Sequence, residues 1–78
     1  MSTVRYFAAA AEAAGREQEQ VDPGTVGQLR TRLAERHGGD LARVLQRCSV
    51  LVNGERSEDD TEVATGDVVD ILPPFAGG

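Results

Sequence analysis

Val50-Leu51-Val52-Asn53-Gly54 is the point at which the chain changes period. On its N-terminal side apolar residues recur at three- and four-residue spacing. Here β-branched and leucine residues stand consecutively, and the run stops at Asn-Gly. A type I′ hairpin turn favours that pair because both of its central residues take positive φ. The stretch therefore reads as a strand entering a hairpin, placed directly after helix.

Working back from it, Leu41, Val44, Leu45 and Cys48 keep the i, i+3, i+4, i+7 pattern of a short helical segment. Val26, Leu29, Leu33 and His37 mark the stripe of a longer helix that ends at Gly38-Gly39. Thr25 and Gln28 open that helix with the spacing of a capping box, in which each side chain satisfies the other's backbone donor. Asp22-Pro23-Gly24 has turn chemistry, and Glu17 to Val21 suits a short polar strand at or near a sheet edge. The alanine run 8 to 14 forms one or two helical turns stopped by Gly15. Residues 3 to 8 alternate, with Val4, Tyr6 and Ala8 on one face and Arg5 and Phe7 on the other.

Working forward, Glu58-Asp59-Asp60-Thr61-Glu62 is a polar connection, Gly66-Asp67 a turn, and Val68-Val69-Asp70-Ile71-Leu72 a last strand. Two strands, a helix and further strands predict an α+β domain over residues 1–72, followed by an extended tail over 73–78.

Size and charge narrow the function. Seventy-eight residues with a net charge of -5 and 40% apolar side chains make one small acidic domain. Such a chain buries roughly 60 to 65% of its unfolded surface, enough for one core and too little for a deep cleft between domains. Cys48 is the single cysteine, so no internal disulfide forms and no cluster of ligands offers a structural metal site. All eight basic residues are arginine, which leaves no side-chain amine for Schiff-base chemistry. The acidic balance argues against nucleic acid as the main partner. No apolar run approaches the ~20 residues that span a bilayer, and the start lacks the organisation of a signal peptide. A cytoplasmic location away from membranes is the expectation.

Charge is unevenly placed along the chain. Five arginines lie between Arg30 and Arg47 against Glu35 and Asp40, whereas seven acids lie between Glu55 and Asp70 against Arg56. This predicts a basic end and an acidic end, either as ordinary solvated surface or to steer a basic partner.

The tail Pro73-Pro74-Phe75-Ala76-Gly77-Gly78 is the candidate for chemistry. The two prolines lack donors, end the strand ladder and favour an extended chain. Six residues at about 3.5 Å each project on the order of 20 Å. Phe75 is a bulky apolar residue in such a segment, which points to a pocket on a partner, and Gly77-Gly78 pass a channel too narrow for any Cβ. An α-carboxyl with a pKa near about 3.5 is an anion and a poor electrophile, so chemistry at Gly78 requires activation, as by adenylation. Strand parity adds a docking surface: with Val50, Val52, Val69 and Ile71 facing the core, Phe7, Leu51, Val68, Asp70 and Leu72 face outward near the tail.

Other groups read as structural. Cys48 lies on an apolar stripe and suits a buried thiol, His37 suits the last turn of its helix, and the acids at 58 to 62 lack the spacing of a calcium loop.

Tyr6-Phe7-Ala8 with Glu12 and Gly15, Val26 with Leu29 and Leu33, Val52-Asn53-Gly54, Gly66-Asp67-Val68-Val69 and the ending Leu72-Pro73-Pro74-Phe75-Ala76-Gly77-Gly78 together carry a resemblance. The chain resembles, over essentially its whole length, the MoaD branch of the MoaD/ThiS group of ubiquitin-like proteins, the small sulfur-carrier subunits of molybdopterin synthase. The resemblance implies a β-grasp fold, a mixed sheet packed on one main helix with short additional helices. It implies that an E1-like adenylyltransferase uses ATP to adenylate Gly78, that a sulfur donor protein supplies sulfur, and that Gly78 becomes a thiocarboxylate. The large catalytic subunit, in a heterotetramer, would then receive the tail, and Gly78 would donate sulfur to cyclic pyranopterin monophosphate. Docking would use the face carrying Phe7 and Leu72, with Arg56 at a hairpin position that is apolar in some members. The chain itself would hold no permanent cofactor, no metal and no active site of its own. Sulfur carriers for thiazole or cysteine synthesis, a ubiquitin-like modifier of lysines, and a plain interaction module with an inert tail remain as alternatives.

Overall fold

A computed structural model of the chain describes residues 1–74. The expected tail residues Phe75, Ala76, Gly77 and Gly78 lie outside the described residues.

The first strand, β1 (Ser2–Tyr6), alternates as its sequence dictates, with Ser2, Val4 and Tyr6 buried. It leads through Phe7 and Ala8 into α1 (Ala9–Ala14), which Gly15 closes in the left-handed conformation at φ 74°. The second strand, β2 (Gln18–Val21), returns antiparallel to β1 and forms one edge of the sheet. The main helix, α2 (Val26–His37), starts at Thr25 with the complete capping box: Gln28 N–H donates to the Thr25 hydroxyl and the Thr25 N–H donates to Gln28 Oε1. Val26, Leu29 and Leu33 bury their side chains in the core, and Gly38 at φ 90° turns the chain into α3 (Gly39–Leu45).

After α3 come β4 (Ser49–Val52) and β5 (Glu55–Arg56), joined at Asn53 and Gly54, whose φ values of 50° and 84° are those a type I′ turn requires. The last strand, β7 (Val68–Leu72), enters the middle of the sheet, parallel to β1 and antiparallel to β4. The order β2-β1-β7-β4-β5 makes one five-stranded mixed sheet. One face packs on the helices through Val4, Tyr6, Val50, Val52, Val69 and Ile71, all buried together with Leu29, Leu33, Leu41 and Leu45. A mixed sheet grasping one main helix is the β-grasp architecture that the sequence resemblance implied.

Four local expectations are corrected. The polar connection at 58 to 62 contains the start of a strand: β6 (Glu62–Val63) pairs antiparallel with β3 (Gly24–Thr25), and Val63 enters the core. Ala8 does not continue the inward face of β1. It is exposed and carries φ 51°, because the chain must turn there to start α1. Cys48 lies beyond the end of α3, although it is buried and its thiol donates to the Val44 carbonyl. The basic and acidic segments are not opposite ends of the domain. Arg30 on α2 pairs with Asp59 at 3.3 Å, while its guanidinium also donates to the Leu45 and Cys48 carbonyls at the end of α3.

Candidate functional site

The site is built from the sheet face turned away from the helices and the root of the tail beside it. Register brings its residues together. In β1 and β7 Thr3 lies opposite Val68 and Arg5 opposite Asp70, and in β4 and β7 Leu51 lies opposite Asp70 and Ser49 opposite Leu72. Because side chains alternate across a strand, these residues share the outer face. Phe7 continues that face past the end of β1, where its N–H donates to the Ile71 carbonyl. Phe7 is 37% exposed, whereas Leu51, Val68 and Leu72 are half-buried. Arg56 stands exposed on β5 across from Leu51.

At the centre of this apolar set lies an ion pair. Arg5 donates from Nε to Asp70 Oδ1 at 2.6 Å and from Nη2 to Oδ2 at 2.9 Å, a two-pronged fit of planar guanidinium to planar carboxylate. The bond and charge of Asp70 push the Arg5 guanidinium above its usual pKa. The Asp70 side chain is 13% exposed and that of Arg5 48%. The Arg5 guanidinium also sits 5.8 Å from the centre of the Phe7 ring, so the pair helps to position that ring.

The root of the tail lies beside α1 and α3. Pro73 is buried and Pro74 exposed, and together with Ala9, Val44 and Arg47 they line a cavity of about 190 Å³ between α1 and α3. Pro73 has no N–H to extend the β7 ladder, so the strand stops where the chain meets these helices. Phe7 and Leu72 therefore flank the point at which the chain leaves the sheet.

The start of β7 is fixed by a second polar group. Asn53 accepts from the Val68 N–H at 2.9 Å and donates to Asp67 at 3.0 Å. Asp67 also accepts from the Ala64 N–H, and these two bonds, the backbone one first, hold its carboxyl below the usual range. The hairpin turn and the entry to the central strand are thus tied together.

A third cluster was not foreseen from the sequence. Glu19, on the edge strand β2, faces inward and has a side chain only 4% exposed. It accepts from the Tyr6 hydroxyl and from Arg36 Nη1 at 2.7 Å, and it contacts His37 Nε2, with Arg16 at 4.0 Å. Burial alone would raise its pKa, but the bonds from Tyr6, Arg36 and His37 outweigh burial and hold the carboxyl low. Burial and the neighbouring carboxylate push the Tyr6 phenol far above its usual value. The cluster ties β1, β2 and the end of α2. It places His37 in a structural contact, edge-on to the Tyr6 ring. The signal for it was present in parity, since Glu19 is in phase with the buried Val21.

Burial pushes the Cys48 thiol up, partly opposed by Arg30, so its thiolate is disfavoured. Among the described residues no group of three or more His, Cys, Asp or Glu could hold a metal ion, and no helix is long and apolar enough to cross a membrane.

Comparison with known proteins gives this geometry a context. The model of the ThiS family matches residues 4–78. The molybdopterin synthase sulfur carrier subunit of Pyrenophora tritici-repentis is 37% identical over 82 residues, covering 97% of this chain and 88% of that protein. Among solved structures, SAMP1, the small archaeal modifier protein 1, from Haloferax volcanii superposes with a TM-score of 0.82 at 32% identity, covering 99% of this chain and 98% of that one. A chain of the complex of subunits 1 and 2 of the molybdopterin-converting factor from Helicobacter pylori superposes with a TM-score of 0.74 at 27% identity, covering 99% and 97%.

Proposed function

The chain belongs to the ThiS family, and from that premise we propose that it is a sulfur carrier for molybdenum cofactor biosynthesis, with Gly78 as the residue that carries the sulfur. The observation that carries this reading is the near-full-length similarity to a molybdopterin synthase sulfur carrier subunit. Similarity to a chain of the two-subunit molybdopterin-converting factor supports a large subunit as partner.

In this reaction the Gly78 carboxylate attacks the α-phosphorus of ATP on an activating enzyme, and pyrophosphate leaves. The resulting acyl adenylate makes the carbonyl electrophilic, and AMP is a good leaving group. A sulfide equivalent from a donor protein displaces AMP and leaves a thiocarboxylate. Inside the large subunit, its sulfur is transferred to cyclic pyranopterin monophosphate, water cleaves the acyl–sulfur bond, and the carboxylate returns.

The chain's own residues serve delivery. Phe7, Leu51, Val68 and Leu72 offer apolar area for docking. Pro73 and Pro74 set the direction of the tail, Phe75 anchors it in the partner, and Ala76 and Gly77 bring Gly78 into a narrow channel.

The test is an intact-mass measurement after incubation with ATP, the activating enzyme and a sulfur donor. Exchange of one oxygen for sulfur, absent when Gly78 is deleted, is expected; an unchanged mass with every component active would refute the carrier role. Adding the large subunit and the pterin precursor then separates this role from thiazole or cysteine synthesis. Similarity to SAMP1 favours, as second reading, a modifier of proteins, which would produce isopeptide-linked species on a denaturing gel.

A further inference from the structure

The outer face of the sheet has an electrostatic character that the net charge of the chain conceals. The protein carries -5 overall, yet on or beside this face two cations, Arg5 and Arg56, stand against two carboxylates, Glu17 in the cavity next to Arg5 and Phe7 and, within the sheet itself, Asp70. The Asp70 carboxylate is already engaged, since each of its oxygens accepts from Arg5. The acidic loop lies elsewhere: the carbonyls of Asp59 and Thr61 accept from the Gly27 and Val26 N–H groups at the start of α2.

Arg5 is not exhausted by Asp70. Only its Nε and Nη2 are engaged, and Nη1 has no partner among the described residues. Asp70 and the Phe7 ring hold the guanidinium in place, so the free donors have a defined direction. When apolar residues around it are covered by another protein, those donors lose water. A buried cationic donor without an acceptor is strongly unfavourable, so a matching surface has to supply one.

We propose that Arg5 is a specificity-determining residue of the docking face, donating from its Nη1 edge to a carboxylate that the large subunit presents within an apolar patch. Asp70 is then the positioning residue that aims Arg5. This inference rests on the carrier reading, because it takes the large subunit as the occupant of the face. The earlier expectation of steering by the acidic segment towards a basic partner assigns the opposite sign to the contact. Arg5 is suited to the role because a guanidinium engages two carboxylates at once through different edges, which an ammonium on a flexible stem does not do with fixed geometry.

The test uses the full chain and the large subunit from the same genome, with titration calorimetry at low and high salt and thermal melting of each free variant. Asp70 is left unpaired by a change at Arg5 alone, so the informative variant is the double R5M/D70L, which replaces the pair by apolar side chains and leaves no orphan charge. The expected result is a folded double variant whose affinity falls by about thirtyfold or more and loses part of its salt dependence. R5K is expected to fall between the two, because charge is kept and the fork is lost. Wild-type binding with an unchanged or improved affinity in the double variant would overturn this inference and leave the carrier reading intact. A wild-type chain that acquires sulfur but does not bind the large subunit would overturn the choice of occupant; one that does neither would overturn both.

Discussion

Replacing Glu19 by glutamine removes the charge at the centre of the Tyr6–Arg36–His37 cluster while keeping the shape of the side chain. Three groups lose a charge-assisted acceptor. Breaking a fully buried pair from one side costs about 3 to 5 kcal/mol, but Arg36 and Arg16 are each about half exposed and regain water on losing their partner. The net cost at pH 7 is therefore set at about 2 kcal/mol, the range of a hydrogen bond to a charged group. In a domain of this size that lowers Tm by roughly 8 to 16 °C. The pH dependence gives a sharper check. The folded carboxyl of Glu19 lies below its ordinary value of about 4.3, so its stabilising contribution is present above that value and is lost as pH falls through the folded pKa. Once protonated, Glu19 is nearly isosteric with glutamine, so the two proteins should converge in stability at low pH. Urea unfolding followed by circular dichroism from pH 7 to pH 3 measures both curves. A difference below about 0.5 kcal/mol at pH 7, the scatter of ordinary surface substitutions, or a gap that stays constant with pH, would refute the argument.

Three further outcomes are expected. Ala8→Gly should raise Tm, because a non-glycine residue at φ 51° and ψ -124° stores about 1 to 3 kcal/mol, which exceeds the roughly 0.4 to 1 kcal/mol that glycine adds to the entropy of the unfolded chain; a lower Tm would show that the conformation is unstrained. Cys48→Ala should cost about 1 kcal/mol of stability for the small space it leaves and keep sulfur loading of Gly78, and a folded variant that acquires no sulfur would contradict the assignment. Leu33→Ala should lose about 2 to 5 kcal/mol by chemical denaturation, since the side chain is 1% exposed against the sheet, and a loss under 1 kcal/mol would mean that the core closes over the gap.

What the sequence revealed and what it hid follow from how far each feature reaches. Thr25 with Gln28, and Asn53 with Gly54, act within four residues of themselves, and both are present as read. Alternation within a strand is equally local, so it placed Phe7, Leu51, Val68 and Leu72 on one face correctly. Their mutual arrangement, and the meeting of Arg5 with Asp70 across 65 positions, depend on the parallel register of β1 and β7, which no local pattern encodes. β3 and β6 are two residues each, too short to show any period. Glu19 was hidden for a different reason. A carboxylate in a polar-looking strand reads as solvated, and only the arrival of Tyr6 from β1 and of Arg36 and His37 from α2 makes its burial tolerable. Arg30 likewise joins segments that look electrostatically separate in linear order.

The position of β7 bears on how the protein is made. Its five residues follow every other strand among the described residues, yet they fill the centre of the sheet, with β1 on one side and β4 on the other. A nascent or prematurely terminated chain that stops short of Val68 has no strand to join those two, and its apolar face stays open to chaperones and proteases. Completion of the fold is thus tied to translation of the segment that leads directly into the tail. The same short segment closes the core and brings the chain to Leu72 and Pro73 at the exit, so a chain cut short of Val68 presents neither a closed core nor a finished outer face.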